Sequence, residues 1–413
     1  MQQGYKQTEI GVIPEDWDVR KIGDFTDATA GGTPSTSHPE YWNGEILWMS
    51  SGELNKRRIH NVIGRITELG YNNSSTHMIP ENCVLIGLAG QGKTRGTVAV
   101  NYVELCTNQS IAAIFPSKEH NSEYLYQNLW SRYEELRELS SGDGGRGGLN
   151  LTIIKNFPCA FPKLQEQNRI AEALSDVDSM ISALEKLIAK KKAVKQGAMQ
   201  ELLTGKKRLP GFDGDIKYKS LASLCTVFAD GDWIESKDQS NNGIRLIQTG
   251  NIGVGKYLDK TDKQRFISTD TFDRLKCLEI FENDVIVSRL PEPAGRACIL
   301  PYSNKRRITA VDCTIIRFAD YNPILFVAYS QTKQYQDKVD MAMAGSTRQR
   351  ISRKEFGEIP IPVFPTIEEQ NALASIFSDM DSEIEALEQK LAKTRQIKQG
   401  MMQQLLTGKI RLV

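Results

Sequence analysis

The fold is decided by a segment that occurs twice in the chain. Residues 161–209 read "FPKLQEQNRIAEALSDVDSMISALEKLIAKKKAVKQGAMQELLTGKKRL", and residues 364–412 read "FPTIEEQNALASIFSDMDSEIEALEQKLAKTRQIKQGMMQQLLTGKIRL". Of the 49 aligned positions 28 are identical, and the alignment needs no gap. Identity at this level marks an internal repeat, which sets the architecture before any local motif does. The chain is therefore two halves of similar length, each ending in the same segment.

Each copy of the segment has the pattern of a coiled-coil helix. Apolar residues recur at alternating intervals of four and three, which is the spacing of a seam between paired helices. The seam positions are Ile170, Leu174, Val177, Ile181, Leu184 and Ile188 in the first copy, and Leu373, Phe377, Met380, Ile384, Leu387 and Leu391 in the second. Pro162 and Pro365 precede the helices, and Gly205 and Gly408 follow them. The pattern predicts a helix over about 165–204 and an equivalent helix in the second copy.

Beyond the seam the apolar pattern changes. The next apolar residues are Val194, Ala198 and Leu202 in the first copy, and Ile397, Met401 and Leu405 in the second. These residues do not continue the alternation of three and four. A break of this kind predicts a slip in phase or a change of packing partner.

The polar positions of the segment are repeated as well, including Glu166, Gln167, Asp178 and Lys195. A surface helix that docks on its own domain needs to keep only its buried stripe, so repetition on every face argues against two unrelated helices. We predict that the copies pair antiparallel as a pseudo-two-fold rod with two equivalent docking surfaces. If no partner covers those surfaces, the isolated chain is expected to self-associate through them.

The segments ahead of the helices have mixed α and β patterns. Both contain short β-rich runs bounded by Gly, Pro and Asn, such as "CVLIGLAG" and "DVIVSRL", and one late helical stretch. Their closing stretches, "LNLTIIKNFPCAF" and "ISRKEFGEIPIPVF", also resemble each other. The predicted fold is α+β, with two globular domains (1–160 and 210–363) separated by a pair of long antiparallel coiled-coil helices (161–209 and 364–413) in a pseudo-two-fold repeat.

Composition excludes several classes of protein. The chain is 40% hydrophobic and 25% charged with a net charge of +1, which is ordinary for a globular protein. No apolar run reaches about 18 residues, and the first residues lack the features of a signal peptide, so we expect a cytoplasmic protein with no membrane contact. The seven cysteines form no C-x-x-C pair and the four histidines lack ligand spacing, so we expect reduced thiols and no metal site.

Several stretches in and around the repeat are characteristic of one family. They are "IGVIPEDWDVRKIGDF" followed by "GGTPSTSHPEYWNGEILWMS", the helix entries "GLNLTIIKNFPCAFPKLQEQNRIA" and "RISRKEFGEIPIPVFPTIEEQNALA", and the helix ends "QELLTGK" and "QQLLTGK". In these stretches the chain resembles the specificity subunit of type I restriction-modification systems. The resemblance covers essentially the whole chain, in the order recognition domain, helix, recognition domain, helix.

The resemblance implies a non-catalytic subunit that recognises double-stranded DNA for an adenine-N6 methyltransferase and ATP-dependent endonuclease. Each recognition domain would read one half of a bipartite target, and the helix pair would set the gap and dock two methyltransferase subunits, which restriction subunits then join. S-adenosylmethionine, ATP and Mg are expected on those partners only, so no cofactor is expected on this chain. The sequence agrees, because the nearest approach to the [ND]-P-P-[YF] motif of amino-methyltransferases is "NPIL", Asn322 to Leu325.

One motif points to a different class of protein. "GLAGQGKT", Gly87 to Thr94, fits the phosphate-loop pattern G-x-x-x-x-G-K-[ST], which would make the chain an ATPase. A phosphate loop requires a helix directly after it, whereas "RGTVAVNYV" is β-branched and predicts a strand of a hairpin. The ATPase is therefore a weaker alternative, and a coiled-coil scaffold that does not bind DNA is a second one.

Candidate DNA-reading residues follow from base chemistry. Arg and Lys pair with guanine edges and Gln and Asn with adenine, so such side chains in Gly-rich loops are the candidates. They are Gln91, Lys93, Thr94, Arg95 and Arg146 in the first domain, and Arg289, Arg296, Arg348, Gln349 and Arg350 in the second. The loops "SSGDGGRGGLN" and "GSTRQR" occupy the same place ahead of the two helices, and we expect the first to become ordered on DNA around Arg146.

Overall fold

The computed structural model describes residues 3–90, 94–139, 148–343 and 350–413. The chain forms two compact units, Met1–Leu184 with Lys390–Val413, and Glu185–Gln389. Each unit contains one mixed domain and part of each long helix. Both long helices contribute to both units, and the four consecutive segments suggested by the sequence stay a prediction.

The first unit combines short strands with short helices and the start of one long helix. Its strands are β1 (Tyr5–Thr8), β2 (Gly11–Pro14), β3 (Asp18–Lys21), β4 (Ala28–Ala30), β5 (Trp42–Met49), β6 (Arg58–Ile59), β7 (Arg65–Ile66), β8 (Met78–Ile79), β9 (Val84–Gly87), β10 (Val98–Asn101), β11 (Leu105–Thr107), β12 (Ile111–Ile114) and β13 (Pro158–Phe161). Its helices are α1 (Glu68–Asn72), α2 (Ser122–Ser131), α3 (Tyr133–Leu139), α4 (Leu151–Lys155) and the first part of α5 (Leu164–Leu202).

Two sheets share the core of this unit. One has the strand order β4-β12-β9-β10-β6 and the other β7-β5-β11-β8. Strand β9 is apolar throughout because both of its faces are covered. Val84 and Ile86 pack in one cluster with Leu125, whereas Leu85 packs on the opposite face with Met49.

The second unit repeats this plan. Its strands are β14 (Lys217–Ser220), β15 (Cys225–Asp230), β16 (Gln239–Ser240), β17 (Ile244–Ile247), β18 (Arg265–Ile267), β19 (Glu279–Ile280), β20 (Val285–Ser288), β21 (Arg296–Ile299), β22 (Arg307–Thr309), β23 (Cys313–Phe318) and β24 (Pro360–Val363). Its helices are α6 (Thr269–Leu275), α7 (Pro323–Tyr329), α8 (Lys333–Met343), α9 (Arg353–Gly357) and the first part of α10 (Ile367–Leu405).

The sheets of the second unit resemble those of the first but differ at their edges, with four and five strands in place of five and four. Their strand orders are β15-β23-β20-β21 and β16-β18-β17-β22-β19. Strand β20 alternates as β9 does, with Val285 and Val287 in one core cluster and Ile286 in another. Two mixed domains with a common plan, each followed by a 39-residue helix, confirm the α+β repeat.

Within each unit the two long helices run antiparallel. In the first unit, Ile170 and Leu174 near the start of α5 share a core cluster with Leu405 and Leu406 at the end of α10. In the second unit, Leu373 and Phe377 near the start of α10 share one with Met199 and Leu203 at the end of α5. The predicted seam residues are all buried or half-buried.

Beyond the seam the packing changes, although not through the residues that suggested it. Met199 and Leu203 at the end of α5 are 2% and 0% exposed, lie off the alternation of three and four, and pack with Leu325 of the second domain. Val194 and Ile397, which suggested it, are 51% and 49% exposed. The alternation of three and four continues from Ile188 through residues 191, 195, 198 and 202, and from Leu391 through residues 394, 398, 401 and 405, none of which is exposed. The seam was not recognised there because residues 195 and 398 are lysines, whereas the sequence pattern counted only apolar side chains.

Candidate functional site

A buried glutamate in the first turn of each long helix pairs with an arginine that follows the end of the other long helix. Glu166 in the first turn of α5 accepts two hydrogen bonds from Arg411, at 2.7 and 2.8 Å, and one from the Trp17 indole at 3.0 Å. The repeat places Glu369 and Arg208 in the same arrangement, at 2.8 and 2.7 Å. These paired, hydrogen-bonded carboxylates raise the pKa of each arginine. The geometry is the two-pronged pairing that orients both partners.

A second repeated contact joins the long helices to the domains. Gln167 accepts the backbone N–H of Asn121 at 3.0 Å, and Gln370 accepts that of Asn322 at 3.1 Å. Asn121 and Asn322 are the N-caps of α2 and α7, so the amides fix the starts of these helices against α5 and α10. The first turn of each long helix is therefore fixed to its domain by an equivalent glutamine contact, which orients the domain.

The seam lysines complete the helix pairing. Lys398 donates to Asp178 at 2.6 Å in the first unit, and Lys195 donates to Asp381 at 2.5 Å in the second. Lys398 is 3% exposed and lies 3.6 Å from the centroid of the Trp130 ring. Burial lowers its pKa from 10.5 to about 8, against the opposing effect of Asp178.

Two predicted DNA-reading residues of the first domain, Thr94 and Arg95, lie in the turn between β9 and β10 and are half-buried. The other three, Gln91, Lys93 and Arg146, lie outside the described residues. The N–H of Leu149 bonds to the carbonyl of Leu88 at 3.0 Å, which brings the chain just after residue 147 to this turn. We call the β9–β10 turn with the residues preceding α4 the hairpin edge of the first unit.

The second unit has an equivalent hairpin edge, formed by the β20–β21 turn and the residues preceding α9. The N–H of Ile351 bonds to the carbonyl of Arg289 at 3.4 Å, in the place of the Leu149–Leu88 contact. Arg350 is adjacent, 39% exposed, and ion-paired with Asp312 at 2.6 Å. Arg348 and Gln349 lie outside the described residues.

Two other predicted readers have partners within the protein. Arg289 is 3% exposed, bonds to the carbonyl of Ile351 at 3.2 Å and pairs with Asp230 at 3.0 Å. Arg296 holds the hairpin turn by donating, at 2.8–3.1 Å, to the carbonyls of Thr249, Ile252, Leu290, Pro291 and Pro293. Burial lowers the pKa of Arg296. Contact between these two arginines and DNA bases stays a prediction. In the structure they hold the second hairpin edge together through bonds to backbone carbonyls.

The phosphate-loop alternative lacks the geometry it requires. The residues after Thr94 form a turn and then β10, which pairs antiparallel with β9 through Val98 and Ile86. The N–H of Gly96, at a φ of 78°, bonds back to the carbonyl of Gly87 at 2.9 Å. The N-terminus of a helix, which would surround a phosphate, is replaced in residues 94–101 by a hairpin strand.

The family was determined by comparison with known proteins. The model of the type I restriction modification DNA specificity domain matches the chain twice, at residues 14–196 and 214–396. The chain belongs to this family. Among the described residues, no helix is long and apolar enough to cross a membrane.

Relatives in this family align over part or all of the chain. The MjaIX specificity subunit of Methanocaldococcus jannaschii is 35% identical over 43% of this chain and 41% of its own length. The MjaVIII specificity subunit of the same organism is 23% identical over 100% of this chain and 97% of its own length. The type I restriction-modification S subunit from M. genitalium shares the fold, with a TM-score of 0.62, 16% identity and coverage of 98% and 99% of the two chains.

Sequence reasoning missed one polar site in this specificity-domain protein. Arg245 and Arg307 are 6% and 5% exposed, on neighbouring strands β17 and β22 of the second domain. Both lie in stretches, "IRLI" and "RRIT", that are typical of strands, and Arg245 was not a candidate reader at all. The available signal was a charged residue inside an otherwise apolar strand.

Proposed function

We propose that the chain is the non-catalytic DNA-recognition subunit of a type I restriction-modification complex, and that each mixed domain reads one half of a bipartite double-stranded target. One observation carries the proposal. In each unit, residues from two distant parts of the domain meet at a hairpin edge, through Leu149 with Leu88 and Ile351 with Arg289. Equivalent scaffolds with different side chains at the same edge suit two readers of different half-sites.

The edges supply the chemistry that base recognition needs. Arg350 lies at the second edge, is 39% exposed and pairs with Asp312, so it can exchange this carboxylate for a guanine edge or a phosphate. Thr94 and Arg95 occupy the first edge, and Gln91, Lys93 and Arg146 are proposed as further readers of the same half-site from their sequence alone. Arg289 and Arg296 support the second edge through hydrogen bonds to backbone carbonyls, including those of Ile351 and Ile252.

The long helices are the proposed docking surface for two methyltransferase subunits. Val194 and Ile397 are exposed apolar residues at equivalent positions of α5 and α10. Leu164 and Ile367 form a second such pair, at 41% and 47% exposure. Exposed apolar positions that recur by the internal repeat suit two copies of one partner. We expect S-adenosylmethionine on these partners, and ATP and Mg on the restriction subunits that join them.

The decisive experiment is to co-express the chain with the methyltransferase subunit encoded beside it and to map N6-methyladenine across the host genome. A single bipartite motif with a fixed gap would support the proposal. The variant Arg350→Ala should then relax the sequence of one half-site only, whereas Lys333→Ala, an exposed cation on α8, should leave both half-sites unchanged. A complex that forms but adds no methylation would refute the recognition function and favour the scaffold.

A further inference from the structure

The second domain contains two buried arginines side by side. Arg245 on β17 and Arg307 on β22 are register partners on adjacent parallel strands. Both side chains are more than nine-tenths buried. Two positive charges in this arrangement repel each other and lose hydration, so the pair is costly unless an anion compensates it.

The first domain has no such pair at the same place. Ile247 and Thr309 are register partners in the second domain, as Met49 and Thr107 are in the first. Two residues earlier on each strand, the first domain has Leu47 and Leu105. The fold therefore accepts leucine at both positions, and the arginines are a feature of the second domain alone.

A cavity of about 430 Å³ opens beside these arginines, and we call it the Arg245 pocket. Its charged lining residues are Arg245, Arg307, Lys305 and Asp259, which give it an excess of positive charge. The carboxylate of Asp259 is 3.7 Å from Arg245 and its side chain is 55% exposed. This ion pair is screened by solvent, and the Asp284 and Glu282 carboxylates that also act on Arg307 do not line the cavity, so the positive charge of the three cations is only partly offset there.

The guanidinium of Arg245 is incompletely satisfied within the protein. Its Nη1 and Nη2 atoms are buried and make no hydrogen bond of full geometry to a described residue, and the polar groups that interact with them are the Tyr257 hydroxyl and the Asp259 carboxylate. Arg307 is oriented by a 2.8 Å bond from Nη2 to the carbonyl of Pro301. By contrast, Arg317 in the same domain makes two bonds to the Asp284 carboxylate, at 2.6 and 2.9 Å. Buried guanidinium donors normally find such a pairing, and Arg245 faces the pocket without a pairing of this kind.

We propose that the Arg245 pocket binds a phosphate group. The planar guanidinium of Arg245 presents paired donors that match two phosphate oxygens, Arg307 adds a second charge, and Lys305 at the exposed rim adds a third. The hydroxyl of Tyr257 lines the same cavity and can donate a further hydrogen bond. The phosphate can belong to the DNA backbone, which rests on the proposed function, or to free phosphate in solution.

The first experiment is a titration of the full chain, in complex with its methyltransferase partner, with inorganic phosphate at constant ionic strength. Thermal unfolding should shift upward with phosphate, by roughly 5 °C at a concentration about 100-fold above the Kd. Arg245→Leu and Arg307→Leu, which copy the first domain, should fold and lose this shift. Arg265→Leu, an exposed arginine of the same sheet that does not line the pocket, should retain it. If phosphate has no more effect than chloride, or if Arg245→Leu retains the shift, the proposal is overturned.

A second measurement identifies the source of the phosphate. DNA binding by the complex is followed against salt concentration, with the same three variants. If the phosphate belongs to DNA, Arg245→Leu should lower the slope of log K against log salt by about one, and inorganic phosphate should compete with DNA. If it is free phosphate, Arg245→Leu should lose the thermal shift and keep wild-type DNA binding. A wild-type complex that fails to bind DNA would count against the proposed function, and the phosphate titration would still decide the pocket.

Discussion

The equivalent ion pairs Glu166–Arg411 and Glu369–Arg208 can be compared through the substitutions Glu166→Gln and Glu369→Gln. Each substitution removes a buried charge and leaves an arginine that had bonded to both carboxylate oxygens. The side chains of Arg411 and Arg208 are equally buried, at 24% and 22% exposure. Both glutamates lie in the first turn of a long helix, so the loss of their interaction with the helix dipole is common to both variants.

The two arginines differ in what remains after the substitution. Arg411 keeps a second carboxylate, because it also makes two bonds to Asp16, both at 2.8 Å. Arg208 keeps hydrogen bonds to the backbone carbonyls of Asp213 and Gly214, and the carboxylates of Asp213 and Asp215 act on it without a described hydrogen bond. Removing one partner of a buried ion pair costs about 3–5 kcal/mol when the other charge is left uncompensated. We therefore expect about 3–5 kcal/mol for Glu369→Gln and about 1–3 kcal/mol for Glu166→Gln.

Amide hydrogen exchange measures the effect of losing each ion pair separately. Peptides covering the start of α5 and the start of α10 should exchange faster in the corresponding variant, by about tenfold for each 1.4 kcal/mol. The start of α10 in Glu369→Gln should therefore show the larger acceleration, by an order of magnitude or more. Equal accelerations, or a larger one for Glu166→Gln, would show that Asp16 does not compensate Arg411 and would refute the reasoning.

Three further predictions concern the helices. The folded chain binds the Lys398 proton less tightly than the unfolded chain, so the free energy of unfolding should rise between pH 8 and about 10.5. Urea unfolding of Lys398→Met should show no such rise. Val194→Glu or Ile397→Glu should each displace one methyltransferase subunit by native mass spectrometry, whereas Met180→Glu, which copies Glu383 of the repeat, should retain both. Deleting seven residues from both helices should change the gap of the methylated motif and not its half-sequences; an unchanged gap would refute the spacing role.

The sequence was sufficient for the helices and the class of fold. The periodicity predicted a helix over about 165–204, and α5 spans Leu164–Leu202. This was possible because helix ends and seams depend on residues that are near in sequence. The continuation of the seam could not be recognised, since Lys195 and Lys398 are buried beside carboxylates of the partner helix and, for Lys398, the Trp130 ring, which a count of apolar residues does not include.

The candidate site was less predictable, because it depends on long-range contacts. Arginine in a loop suggested base recognition at Arg289 and Arg296, yet both bond to segments that are distant in sequence or to the turn itself. Their availability is decided by burial, which composition does not reveal. The Arg245 pocket was missed for the same reason. Arg307, the register partner of Arg245, is 62 residues away in sequence, and the parallel pairing of β17 and β22 brings the two arginines together.

The seam lysines give a physical reason for a fixed register between the helices. An apolar seam tolerates a shift by one heptad, which moves one helix by about 10.5 Å along the other, the length of roughly three base pairs. Lys195 and Lys398 prevent this shift, because each would lose its carboxylate and remain buried and unpaired. A buried polar residue at a seam position is a known means of fixing the register of a coiled coil at a cost in stability. If the helices set the gap between two half-sites, as proposed, that cost secures a gap that an apolar seam alone would leave undefined.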